Sequence, residues 1–201
     1  SAKTYHDLWN FVRAEHMIGW EKPMAWRTAV RFGEKSTIAT EAVGPKAVEW
    51  TAKGAGSGRY IARGEGAVAF VGFAGGQMPV ELGPIRIEKL DTPFVSLVAS
   101  SGETGKTLAE ASRVLICATA RAYNQGMTWN ANRTSVSDQW GTGPAQVEVV
   151  RADLSIESGR PVKVYALTPE GKRGKELTVA VRGNRHSFGL GDSIWYELVR
   201  D

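Results

Sequence analysis

From Trp26 onward the apolar residues of this chain recur at every second position in short runs, and Gly or Pro closes most of those runs. "AWRTAVRF", "KAVEW", "GRYIARG" and "GPIRIEKL" all alternate in this way. Successive side chains on a strand point to opposite faces, so this period predicts half-buried β-strands. Two longer runs, "TPFVSLVAS" and "SRVLICATARAY", are more uniformly apolar and predict central strands packed on both faces. The stretch between them, "SSGETGKTLAEA", reads as a turn. "VKVYALTPEGKRGKELTVAV" predicts a hairpin, two alternating strands around Pro, Gly and charge. Many short strands with regularly spaced turns predict an all-β chain folded as an antiparallel β-sandwich.

One segment has a different period. Over residues 4 to 19, Leu8, Trp9, Phe11, Val12 and Met17 recur near the helical spacing, Gly19 can end the run, and Pro23 opposes its continuation. This predicts a single N-terminal helix and a division into residues 1–25, helix or linker, and residues 26–201, the sandwich.

Several function classes lose support from composition. The net charge is +4, but the Lys and Arg residues are scattered, which argues against nucleic acid as a partner. No stretch is long and apolar enough to span a bilayer as a helix. Cys117 is the only cysteine, so no internal disulfide can form, and its apolar neighbours predict a small buried side chain. The start at Ser1 rather than Met fits a processed protein or a piece of a longer one.

The chemical motifs are weak. "SGETGKT" ends like a phosphate loop, but position 100 is Ser where the first glycine is required, and strands flank it on both sides. His6, His16 and His186 lack ligand spacing, so no metal is expected. No GxSxG is present. Glycoside hydrolysis needs two convergent carboxylates. Asp138, Glu148 and Glu15 are available, yet their spacing does not show that any two meet. No cofactor and no catalytic residue is assigned.

The aromatics are more informative. Trp26 and Trp50 sit in alternating strands and are expected in the core. Trp195 and Tyr196 must face opposite ways, so one of them is expected in the core. Trp129 and Trp140 lie in "NQGMTWNANRTSVSDQWGTGP", a loop too polar to form a core of its own. An indole face can stack on the C–H face of a sugar, while Asn130, Asn132, Arg133 and Asp138 can hydrogen-bond hydroxyls. These six residues are the candidate carbohydrate-binding set. The bland alternative is that the two Trp plug one end of the sandwich or bury against another domain.

"DTPFVSLVASSGETGKTLAEASRVLICATARAYNQGMTW", then "WGTGPAQVEVVRADLSI" and the closing "IWYELV", resemble the C-terminal β-sandwich of bacterial glycoside hydrolases that pair it with a (β/α)8 catalytic barrel. The resemblance spans residues 58 to 199 and is most specific in "SRVLICATARAYNQGM" and "WGTGPAQVE". It implies a non-catalytic module in polysaccharide degradation, with a polysaccharide or oligosaccharide and a catalytic barrel domain as partners. It carries no catalytic carboxylates, which belong to the barrel. An extracellular or periplasmic location follows only from where polysaccharides occur. A structural module that buttresses the barrel, or a carbohydrate-active enzyme in its own right, are the alternatives.

Overall fold

A computed structural model describes residues 26–31, 37–42, 48–51, 58–73, 78–132 and 134–201, with side chains from residue 58 onward and at Glu49 and Thr51. The helix expected over residues 4–19 lies outside the described residues, and so do the side chains of Trp26 and Trp50.

Sixteen strands are described, and no helix. They are β1 (Trp26–Arg31), β2 (Thr37–Ala42), β3 (Val48–Thr51), β4 (Arg59–Arg63), β5 (Ala67–Phe73), β6 (Val80–Leu82), β7 (Ile85–Leu90) and β8 (Phe94–Ser101). They continue with β9 (Arg113–Gln125), β10 (Thr142–Val149), β11 (Ala152–Glu157), β12 (Val162–Leu167), β13 (Arg173–Glu176), β14 (Ala180–Arg182), β15 (Arg185–Leu190) and β16 (Trp195–Arg200). The described residues are all-β, and every pairing among them is antiparallel.

Strands β1 and β2 pair with each other alone. The larger sheet has nine strands, ordered β13-β12-β16-β9-β8-β5-β4-β3, with β10 added beside β9. The second sheet has five strands, ordered β14-β15-β11-β7-β6. The two contribute to one apolar core. Phe70, Leu97, Ile116 and Leu198 enter it from the nine-stranded sheet, and Ile85, Ile87, Leu154 and Phe188 from the five-stranded one. Full burial of such a side chain stabilises by about 1.5–3 kcal/mol, so this shared layer is the main cohesive force.

The hairpin around "TPEGKRGK" forms between β12 and β13, closed by Thr168 N–H donating to the Lys172 carbonyl (2.8 Å). The chain then crosses sheets, because Leu177 is buried and β14 pairs with β15. Of the last aromatic pair, Tyr196 is buried and Trp195 half-buried.

One expectation needs correction. Strands β8 and β9 are central, but they are not packed on both faces. Val95, Leu97 and Ala99 are buried on β8, as are Val114, Ile116 and Ala118 on β9, while Val98 and Leu115 are exposed. Cys117, expected to be buried, is half-buried on the same outer face. Apolar composition sets what a face prefers, not whether anything covers it.

The outer face also carries a charge network. Glu197 is nearly buried, and its carboxylate accepts from Arg173 Nε (2.5 Å) and from Arg113 Nε (2.7 Å) and Nη2 (2.6 Å). The hydrogen bond from Arg173 holds its carboxyl below the usual range, Arg113 adds to this, and burial opposes it. A depressed folded pKa contributes stability that is present above the ordinary carboxylate value and lost as pH falls through the folded value. Replacing Glu197 with Gln is expected to cost about 1–3 kcal/mol at neutral pH. In urea titrations at pH 7 and pH 3, the gap between parent and variant should narrow at the lower pH.

Candidate functional site

Strand β9 is thirteen residues long, and only its first part lies over the core. Its last residues, 119 to 125, pair with β10 and form an arm. No residue of β10 is buried. The arm is stiffened by Arg121, whose Nε and Nη2 donate to the two oxygens of Glu148 (2.8 and 3.0 Å). That guanidinium holds the Glu148 carboxyl below its usual range, and the carboxylate in turn raises Arg121.

The Trp loop caps the arm and is held by its own backbone. Thr128 N–H donates to the Gln139 carbonyl (3.1 Å), Asn130 N–H to Ser135 (2.9 Å), and Gln139 N–H to Val136 (2.7 Å). The Asn124 side chain donates to the Trp140 carbonyl (3.0 Å). Val136 is buried within an otherwise polar loop. Trp129 follows Thr128, Trp140 follows Gln139, and both indoles stand out from this framework, 47% and 60% exposed.

The other candidate residues divide. Asn130 is occupied by the loop itself: its Oδ1 accepts from Thr134 N–H (2.9 Å) and its Nδ2 donates to Thr134 Oγ1 (3.0 Å). Asp138 is exposed and its Oδ1 accepts from Gln139 Nε2 (3.0 Å). Asn132 is exposed, and Arg133 lies outside the described residues.

Beside Trp129 lies a groove of about 410 Å³ lined by Arg121, Ala122, Tyr123, Met127 and Trp129. Trp140 is not among its walls. Tyr123 and Arg121 were missed by the sequence reading, although the period of "ATARAYNQ" puts both on one strand face. The groove supplies two aromatic faces and the Arg121 guanidinium, whose Nε and Nη2 are held by Glu148. It holds no nucleophile with an adjacent base. Among the described residues, no group of three or more His, Cys, Asp or Glu is arranged to hold a metal ion. Comparison with family models, characterised proteins and solved structures gives no match.

Proposed function

We propose that the chain is an accessory β-sandwich module that binds polysaccharide or oligosaccharide through the Trp loop. The supporting observation is that two indoles are displayed to water on a loop whose backbone bonds fix their positions. A large aromatic left open in this way forgoes its burial free energy, which a sugar face can restore. The groove beside Trp129 adds Tyr123 as a further stacking surface and Arg121, held in place by Glu148, as a donor for hydroxyls.

A second reading, a structural module that buttresses a catalytic domain, draws on a different observation. Val98 and Leu115 are exposed on the outer face of the nine-stranded sheet, and Val98, Cys117 and Trp195 form one cross-strand row there. Apolar groups clustered on an outer face suit a docking partner.

Affinity electrophoresis against a polysaccharide panel separates the two. Retardation of the parent, weakened about tenfold or more in Trp129→Ala and Trp140→Ala with circular dichroism unchanged, is the expected outcome. Equal mobility of parent and both variants on every polysaccharide would leave the buttressing role as the better reading.

A further inference from the structure

Away from the Trp loop, the turn between β11 and β12 meets the turn between β14 and β15. Ser158 N–H donates to the Asn184 carbonyl (2.8 Å) and ties them together. A cleft of about 560 Å³ opens here, with Arg160, Asn184 and His186 among its polar walls and Val162, Val179 and Val181 among its apolar ones. None of its lining residues is acidic.

The charges around it are unbalanced. Arg160 donates from Nη1 to Ser112 Oγ (3.2 Å) and from Nη2 to the Glu110 carbonyl (3.0 Å). Arg200, the register partner of Val162, is only 3% exposed and donates from Nη1 to the Ala111 carbonyl. Its Nε and Nη2 are buried without a partner, as is Nδ1 of His186, itself 6% exposed. Among the described residues, no carboxylate forms an ion pair with either guanidinium. The nearest carboxylates in sequence are engaged elsewhere, Glu157 by Arg185 and Asp201 by Lys163 (3.2 Å), and that of Glu110, whose carbonyl Arg160 meets, is taken by the N–H and hydroxyl of Thr107 (3.1 and 2.9 Å). Burial lowers the Arg200 pKa and the like charge of Arg160 adds to this. A guanidinium does not escape by deprotonating at physiological pH. The adjacent positive charges therefore favour an anion that would offset them.

We propose that this cleft binds a small carboxylate carried on an apolar body, with Arg160 meeting the carboxylate and Arg200 as the buried charge behind it. Arg160 has five N–H donors, and the two bonds to Ser112 and Glu110 leave others for the ligand. The valines accept the body of the molecule. This site is separate from the Trp loop and does not depend on sugar binding there.

The test is thermal unfolding of the whole chain in benzoate, inorganic phosphate and chloride at matched ionic strength. Benzoate should raise Tm saturably by mass action, well beyond chloride and beyond phosphate. Arg160→Gln should weaken the apparent benzoate affinity about tenfold or more, the effect of losing one charge-assisted pair. Asn184→Asp, which puts a carboxylate on an exposed turn at the rim, should do the same and decides the matter if Arg160→Gln does not fold. Arg151→Gln, on an exposed residue outside the cleft lining, should leave the response intact. A benzoate response no larger than that of chloride overturns the proposal, as does one unchanged in Asn184→Asp. A phosphate response equal to that of benzoate overturns the apolar-body assignment.

Discussion

Replacing Tyr196 with Phe lowers the unfolding free energy by about 2–4 kcal/mol, a large loss for the removal of one hydroxyl. The ring stays in the core, where Tyr196 is fully buried, so no cavity opens and no apolar area is lost. What disappears is the hydroxyl that organises the turn before β16. Its oxygen accepts from the N–H groups of Gly191 (3.0 Å), Asp192 (3.1 Å) and Ser193 (2.9 Å), and its hydrogen goes to the Ser193 carbonyl (2.7 Å). A buried donor left without a partner costs about 1–3 kcal/mol. Gly191 and Asp192 are exposed, so water recovers part of the total, and Ser193 carries most of the remainder. The same turn fixes Ser193 Oγ, which donates to the Leu167 carbonyl (2.7 Å) and ties the end of β12 to the start of β16. The drop in Tm should be roughly 5–15 °C for a domain of this size. Chemical denaturation should give a lower midpoint with an unchanged slope, because the surface exposed on unfolding is the same. A midpoint equal to the parent's would show that water satisfies all three amides.

The strands were legible because alternation is a local property of the chain. "GPIRIEKL" shows its pattern within eight residues, and β7 buries Ile85 and Ile87 as that pattern requires. The order of the strands was not legible, since β9 lies between β8, its neighbour in sequence, and β16, which begins seventy residues after β9 ends. Burial was harder still. Leu115 and Ile116 are adjacent and equally apolar, and only the second sheet decides that Ile116 is buried while Leu115 is not. Arg200 shows the converse. Arginine is seldom fully buried, yet Arg200 alternates in phase with Tyr196 and Leu198 and follows them inward. At the candidate site, composition singled out Trp129 and Trp140, but it could not show that Asn130 is consumed by Thr134. Asn side chains serve loops and ligands with the same atoms.

That internal use of Asn130 bears on Gly141, where the second large effect is expected. Gly141 has φ of 68°, and a Cβ built there would lie 2.3 Å from the Gln125 carbonyl oxygen and 2.6 Å from Met127 N. Both neighbours are backbone, so no side chain can swing aside. Gly141→Ala therefore combines a left-handed conformation, costing an alanine about 1–2 kcal/mol, with an overlap that the end of β9 must move to relieve. The damage should stay local. β10 contributes no buried residue, so the arm can open without disturbing the core between the sheets. Global unfolding in urea should shift little, whereas limited proteolysis should cut between residues 125 and 145 at least about tenfold faster, as expected for an opening made easier by more than 1.4 kcal/mol. Trp140 lies immediately before Gly141 and its carbonyl is held by Asn124, so the indole should lose its fixed position along with the turn. Any polysaccharide affinity should then fall in Gly141→Ala as it does in Trp140→Ala, although the ring is still present. Retained affinity in Gly141→Ala, with the loop demonstrably opened, would mean that the sugar needs the indole but not its placement. The proposal that a rigid loop presents the two rings would then be wrong even if binding itself were real.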